Sequence, residues 1–379
     1  MIRIATVFSG IGAAEEAIKL LKVDAQIVFA CDNGERYLKE TKEEIEATLP
    51  GEDNPVAREE AVRELYRKTK RENFVEKSYQ ANHHIHPSRW FQDVRFLPGK
   101  QFKGKVDLFV GGSPCQSFST YGKKAGLNDA RGTLFYEYGR LVQEIQPAVF
   151  IYENVKGLRS HDNGETWRKM KEIFEGLNYD ISEAILDSVH YGLPQYRQRM
   201  FVVGIRKDVP HAPFSFPQRK RLRKKVPKYL EANVPDEYYL PEKGFNWVTD
   251  TVRNDNKARC NREIIGCQTA VQQVNWSGDF RIEPPKPSHR NNPSIWIGSW
   301  NGMKEAVARR LMPCECFRLM GFKKFRIVVP DRAAYRQAGN SIAVPVIQAI
   351  IQSIFDAVPS LNERVSCSRS RKRPGKNKR

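Results

Sequence analysis

Short apolar runs alternate with amphipathic stretches through the first two hundred residues, and this alternation restricts the fold more than any other feature of the chain. Residues 3–8, 25–31, 106–110, 148–152 and 200–205 each carry the β-branched and aromatic residues of a buried strand. Residues 14–21, 135–146 and 166–177 fall between them with helical spacing; in the first, Ala14, Ala17, Ile18 and Leu21 share one face. Such alternation builds an α/β fold, a mostly parallel sheet covered by helices on both faces. After Val209 the texture changes. Prolines at 210, 213, 217, 227, 235 and 241 interrupt any helical period, so residues 207–308 read as a smaller, irregular domain. Strand and helix texture returns over 309–360, which places both 1–206 and 309–360 in the larger domain. Residues 361–379 read as a basic, disordered tail.

Residues 35–80 interrupt the larger domain with strongly polar helical texture. Asn54-Pro55 predicts an N-cap with proline at the first helical position, opening a helix to about Lys70. Its one narrow apolar stripe, Ala61/Leu65 and Val62/Tyr66, predicts a surface insertion packed lightly on the main domain.

Charge is unevenly placed along the 379 residues. Seven Lys/Arg fall in 218–228 and eight in 364–379, neither with an acid, so fifteen of the 63 basic residues account for most of the net charge of +19. A run of this kind suits a phosphate backbone, and a polyanion is the expected partner. The solvated-linker and loose-tail readings stand beside it. The seven cysteines have no framework spacing, no charged-then-apolar leader opens the chain, and no apolar stretch approaches membrane-spanning length. The expectation is a reduced, soluble, intracellular protein without a membrane segment. His83-His84-Ile85-His86, Cys314-x-Cys316 and Cys260/Cys267 lack the spacing of a metal site, so no metal is expected.

Gly111-Gly112-Ser113-Pro114-Cys115-Gln116 follows the run 106–110 and puts a thiol on the turn leaving a strand's C-terminal end, where open α/β sheets place their ligands. Pro114 fixes its own φ and biases Ser113 away from helix. Residues 148–152 end in Glu153-Asn154-Val155, which brings a carboxylic acid to the same sheet edge. A lone buried cysteine is the plain alternative. With an acid at that edge, Cys115 reads as a nucleophile.

The first strand leads through Phe8-Ser9-Gly10-Ile11-Gly12 straight into a helix, a turn whose glycines allow close backbone approach of a ligand. Asp32 ends the second strand, placed to hold ribose hydroxyls, and Asp93 is placed to accept from an adenine amino group. Turn or cap roles remain open for both acids, and a dinucleotide site competes. A nucleoside-bearing cofactor beside a thiol is the reading these residues favour.

Taken in order, these segments resemble the DNA (cytosine-5)-methyltransferases of prokaryotic and phage type. Phe8 to Gly12 resembles the family's cofactor loop, Pro114-Cys115-Gln116 its nucleophile loop and Glu153-Asn154-Val155 its acid motif. Gln195-Tyr196-Arg197-Gln198-Arg199 resembles its Q-x-R-x-R strand, residues 310–322 the helix that organises its small domain, and Gln337-Ala338-Gly339-Asn340-Ser341 its last motif. The resemblance implies a Rossmann-like, class I methyltransferase fold with a target-recognition domain at 207–308. It implies S-adenosylmethionine as cofactor, held by Phe8, Ser9, Gly10, Ile11, Gly12, Asp32, Asp93, Val94, Pro114, Asn340 and Ser341. Cys115, Glu153, Arg197 and Arg199 would form the catalytic set. Gln116 and Ser117, with Arg219, Lys220, Arg221, Arg223, Lys224 and Lys225, would contact double-stranded DNA. A monomer in the cytoplasm of a prokaryotic cell or phage-infected host, acting as a modification methylase or an orphan, completes the expectation.

The chemistry explains why these residue types belong together. Carbon 5 of cytosine is a poor nucleophile until a thiolate adds to carbon 6, and a proton donor at N3 lowers the barrier to that addition. The base must also leave the duplex stack to meet a thiol. Ala30-Cys31-Asp32-Asn33 departs from the family's Glu-x-Asp, with Glu35 as an outside candidate, and the interval from Asp32 to Asp93 is long. Two alternatives remain: the same chemistry on tRNA, and a non-catalytic nucleic-acid-binding relative.

Overall fold

Val7 stands beside Cys31 on one side and Gly111 on the other, and the first sheet is built outward from it. A computed structural model describes residues 1–51, 53–114, 134–271 and 273–363. Strands β1 (Ile2–Val7), β2 (Ala25–Cys31), β3 (Trp90–Phe91), β4 (Leu108–Gly111), β5 (Val149–Val155), β6 (Tyr179–Asp187) and β7 (Gln198–Arg206) form one sheet in the order β3-β2-β1-β4-β5-β7-β6. The β1–β2, β2–β3, β1–β4 and β4–β5 pairs are parallel, whereas β7 runs antiparallel to β5.

Helix α1 (Ala13–Leu20) follows β1. Helices α2 (Lys42–Glu46), α3 (Pro55–Lys68) and α4 (Phe74–Asn82) fill the β2–β3 connection, and α5 (Leu134–Ile145) and α6 (Glu165–Glu175) flank β5. Phe135, Tyr138, Leu141, Val142 and Ile145 recur at helical spacing on α5 and are all buried, as are Trp167, Met170 and Phe174 on α6. With Phe109, Phe150 and Tyr152 from the strands they make the main core. Each such side chain contributes about 1.5–3 kcal/mol of burial. Asn54 caps α3 by accepting from the Ala57 N–H, as the Asn-Pro signal predicts.

The chain divides into two compact units, 1–186 with 198–218 and 346–379, and 187–197 with 219–345. Sequence texture places 309–360 wholly in the larger domain; here residues 309–345 lie in the second unit. That unit holds α7 (Glu242–Thr249), β8 (Ala258–Cys260), β9 (Gly278–Glu283), β10 (Gly298–Trp300), β11 (Met303–Arg310), α8 (Pro313–Leu319) and α9 (Asp331–Asn340). Its four strands are ordered β10-β11-β9-β8. Trp247, Trp276 and Trp300 pack on a small core of Leu240, Phe245, Val248, Phe280 and Ile282. Trp296 is left 38% exposed. Strand β11 carries one arm of a buried ion pair. Arg309 donates to both Glu315 oxygens (2.9 and 3.1 Å), and Glu315 also accepts from the Met312 and Glu231 N–H groups. Such a pair is tolerated in the interior because its remaining hydrogen-bonding capacity is filled.

Contrary to the hydropathy reading, residues 331–357 are long and apolar enough, by length and composition, to cross a membrane. The stretch breaks between α9 and α10 (Val344–Ala357) at Ser341, whose backbone is extended. On α10, Val346, Ile347, Ile350, Ile351, Ile354 and Phe355 are buried, so this apolar face belongs to the protein's own core.

Candidate active site

Register brings the expected site residues to one sheet edge. Val7 pairs with Cys31 and Gly111, Gly111 with Tyr152, and Cys31 with Phe91. Phe8, Asp32, Gln92, Gly112 and Glu153 are therefore the next residues along five adjacent strands, at the carboxyl edge where such sheets bind ligands.

The turn after β1 is shaped by three positive φ angles, at Phe8 (52°), Gly10 (53°) and Gly12 (80°). Among the described residues, a Cβ built on Gly10 would meet nothing nearer than the Phe8 carbonyl at 4.0 Å, so none of them crowds this position. At Gly12 a Cβ would overlap the His83 ring. Glycine there makes room for a protein side chain rather than for a ligand. Asp32 accepts from the Gly10 N–H (2.9 Å) through one oxygen and from the Gly34 N–H (2.8 Å) through the other. Burial pushes its carboxyl pKa up, and these two N–H groups oppose the shift. Each oxygen retains a lone pair, so the open cradle at Gly10 and the acid beside it suit an S-adenosyl group, one supplying close approach and the other hydroxyl recognition.

Asp93 is more heavily engaged than the sequence suggests. It accepts from the Tyr66 hydroxyl (2.7 Å), from the Arg95 guanidinium (2.6 to 3.1 Å) and from the Arg95 N–H (3.0 Å). An adenine amino group would reach it only in competition with Arg95. Val94 is buried in the main core.

Glu153 and Arg199 meet on one face. Glu153 opposes Phe201 and Arg199 opposes Val155 in the antiparallel β5–β7 pair, so the two are diagonal neighbours, with Arg199 Nε 3.2 Å from Glu153 Oε1. The segment leading toward the thiol is fixed against the same strand. A Cβ on Gly112 would stand 2.5 Å from the Glu153 carbonyl oxygen and 3.0 Å from its Oε2. Ser113 shares a hydrogen bond with the Tyr152 hydroxyl (2.7 Å), and the Asn154 amide donates to that hydroxyl (2.8 Å) and to the Ser113 carbonyl (3.3 Å). Pro114 is half-buried at the end of this run, while Cys115, Gln116 and Ser117 lie outside the described residues.

Arg197 takes a supporting place in the second unit. It is 3% exposed, and its guanidinium donates to the carbonyls of Gln268 (2.8 Å), Gly339 (2.8 Å) and Ser341 (2.7 Å), all in the second unit. The two arginines thus divide the work: Arg199 faces the acid, and Arg197 fastens the loop that carries Asn340 and Ser341. Asn340 ends α9 and is exposed, whereas Ser341 is buried. Arg219, Lys220, Arg221, Arg223, Lys224 and Lys225 are exposed on a stretch without helix or strand, and Lys225 pairs with Glu263. Among the described residues no group of three or more His, Cys, Asp or Glu is arranged to hold a metal ion.

Sequence reasoning misses several residues at this edge: Tyr66, Asn73, Tyr79 and His83, all from the α3–α4 insertion. His83 lies 3.0 Å from the Ile11 carbonyl, and Asn73 donates to the Asp32 carbonyl at 3.0 Å. The insertion is therefore not lightly packed. Tyr66 shows only as part of an apolar stripe and His83 only within a histidine cluster; Asn73 is an N-cap before α4, and nothing in the sequence marks its second partner.

A parallel-dominated sheet with a glycine turn after its inner strand β1 and an acid–arginine pair two strands along is the arrangement of a nucleoside-binding α/β enzyme. Comparison with known proteins makes the class specific. Residues 57–356 match the model of the C-5 cytosine-specific DNA methylases. The chain is 32% identical over 290 residues to the Type II methyltransferase M1.ScrFI of Lactococcus lactis subsp. cremoris, covering 76% of this chain and 71% of that one. It is 32% identical over 292 residues to the Type II methyltransferase M.SsoII of Shigella sonnei, covering 76% and 73%. The solved structure of Entamoeba histolytica methyltransferase EhMeth shares the fold at a TM-score of 0.66 and 16% identity, over 94% of this chain and 98% of that one. The chain belongs to the C-5 cytosine-specific DNA methylases. Its reaction is the S-adenosylmethionine-dependent methylation of cytosine carbon 5 in DNA.

Proposed function

We propose that this enzyme methylates a cytosine flipped out of a specific duplex sequence, through a covalent adduct between Cys115 and carbon 6, as the modification enzyme of a restriction system or as an orphan. The observation that supports the mechanism most directly is the packing of Gly112 against Glu153, because it ties the flank of the thiol segment to the acid that must share the target ring with it.

In this mechanism the Cys115 thiolate forms a bond to carbon 6 while Glu153, protonated, delivers its proton to N3, leaving carbon 5 as the nucleophilic end of an enamine. Arg199 orients the Glu153 carboxyl and holds the carbonyl oxygen of the base. S-adenosylmethionine, when bound, supplies the electrophilic methyl that carbon 5 takes. Loss of the carbon-5 proton to a base then expels the thiolate, N3 returns its proton, and 5-methylcytosine is released. Phe8 to Gly12 and Asp32 hold the cofactor, with Asp93, Val94 and Pro114 completing that set. The second unit carries sequence recognition, and residues 219–225 with Gln116 and Ser117 contact the DNA.

Duplex DNA carrying 5-fluorocytosine at the target tests this, since fluorine cannot leave as a proton does. Wild-type enzyme with S-adenosylmethionine should form a denaturant-stable adduct and Cys115→Ser none. An adduct that persists in the serine variant removes Cys115 from the mechanism.

A further inference from the structure

From the placement of their side chains we infer that Tyr66, Asn73 and His83, all supplied by the α3–α4 insertion, are positioning residues that set the geometry of the S-adenosylmethionine site. The inference rests on the reading of Phe8–Gly12, Asp32 and Asp93 as that site.

Each contact falls on a different part of it. The Tyr66 hydroxyl donates to Asp93 Oδ2 at 2.7 Å. Asn73 works in two directions: its oxygen accepts from the Val75 and Glu76 N–H groups and starts α4, while its nitrogen donates to the Asp32 carbonyl at 3.0 Å. A Cβ on Gly34 would overlap the Asn73 side chain, so the turn after Asp32 is fitted to it. His83 lies 3.0 Å from the Ile11 carbonyl and fills the space left by Gly12. Beside it, Tyr79 packs on His83 at 4.8 Å and donates to Glu15 Oε1 at 2.7 Å; the same oxygen accepts from Thr6 at the root of the loop.

Tyr66, Asn73, Tyr79 and His83 are all buried. The Arg36 guanidinium covers the Tyr66 ring at 4.7 Å and bonds to Gln92, closing the wall from outside. A surface insertion serving only as a spacer would have no need of four buried polar tips. Here the tips of Tyr66, Asn73 and His83 end on the carboxylate or backbone of Asp93, Asp32 and Ile11, and that of Tyr79 on Glu15 of α1; a donor removed from such a site shifts the group it holds.

The test uses full-length protein and S-adenosylhomocysteine as the probe. Calorimetric titration gives its Kd, anisotropy gives duplex DNA affinity, and scanning calorimetry gives Tm. Tyr66→Phe, which keeps the ring and removes one hydroxyl, and His83→Ala should each raise the Kd about 5- to 30-fold, as expected when one buried donor is removed. DNA affinity should stay at the wild-type value, and the KM for S-adenosylmethionine should rise while the KM for DNA does not. His83→Gln, whose amide can still donate to Ile11, should recover part of the affinity. If Tm falls while the Kd is unchanged, the insertion is only structural and the inference fails. It also fails if cofactor and DNA affinity fall together. Should His83→Ala not fold, Tyr66→Phe decides alone. Wild-type protein that does not bind S-adenosylhomocysteine would overturn the reading of the site itself, a result distinct from variants that bind as well as wild type.

Discussion

A Cβ on Gly112 would stand 2.5 Å from the carbonyl oxygen of Glu153, so the strand end that bears the acid and the segment that leads to the thiol meet at a position where no side chain fits. The φ of Gly112 is not positive, so the obstacle to substitution is steric overlap rather than backbone conformation. Gly112→Ala should push the two segments apart and lower kcat for methyl transfer roughly 100-fold, as expected for a displacement of about 1 Å. Binding of S-adenosylhomocysteine should be nearly unaffected. Single-turnover methylation and calorimetry check this together, and an unchanged kcat would show that the two segments yield without consequence.

Two arginines two positions apart should fail in different ways. Arg199→Ala removes the partner of Glu153 and should reduce kcat by about 10²–10³, with little change in Tm. Arg197→Ala leaves the carbonyls of Gln268, Gly339 and Ser341 buried without their donor and should destabilise the protein by about 2–4 kcal/mol. Thermal unfolding beside turnover separates the two, and equal falls in Tm would contradict the division.

The strand and helix plan of the first unit is legible in the sequence because it rests on long apolar periods: β2 is read at its true bounds, and α5 and α6 to within two residues at each end. Strand β6 escapes because most of its residues are half-buried and its apolar alternation is weak. Strand β3, two residues long, has no period to detect. The reversal of β7 is equally hidden, since an apolar run looks the same in either direction. The polar contacts of the insertion escape for a different reason. Tyr66, Asn73 and His83 act through single atoms directed at distant groups, and one atom at one position produces no pattern along a sequence.

Asp279 on β9 should give the second unit a pH signature. It is buried, and burial pushes its carboxyl up to about 6 from an ordinary 3.8, against the pull of the Gly266 N–H and of Arg259. The folded state then holds the proton more tightly than the unfolded chain. This group's contribution is therefore greatest below pH 4, declines as pH rises from about 4 to about 6, and is level above that. Asp279→Asn carries no charge to desolvate, so its advantage over wild type should be absent below pH 4 and grow to on the order of 2 kcal/mol by pH 7. Calorimetric Tm against pH would show it. A difference independent of pH would mean that Asp279 is not neutral in the acidic folded state.

Residues 219–225 offer charge without base-reading diversity. Replacing Arg219, Lys220, Arg221, Arg223, Lys224 and Lys225 by glutamine should weaken duplex binding and flatten the dependence of log K on log salt by about 0.9 for each phosphate no longer neutralised. The methylated sequence, read by bisulfite sequencing, should not change. A new target sequence would show that this run reads bases.

Between β6 and β7 the chain leaves the first unit for eleven residues, Asp187 to Arg197, and it crosses between the units again after Gln218 and after Pro345. A single contiguous cassette therefore cannot carry the second unit intact from one methylase to another. A graft of 219–345 alone would leave the host's Arg197 to bind the donor's backbone carbonyls at the positions of Gln268, Gly339 and Ser341. The eleven-residue detour, written just ahead of the strand that carries Arg199, is thus a part of the second unit that any exchange of 219–345 leaves behind.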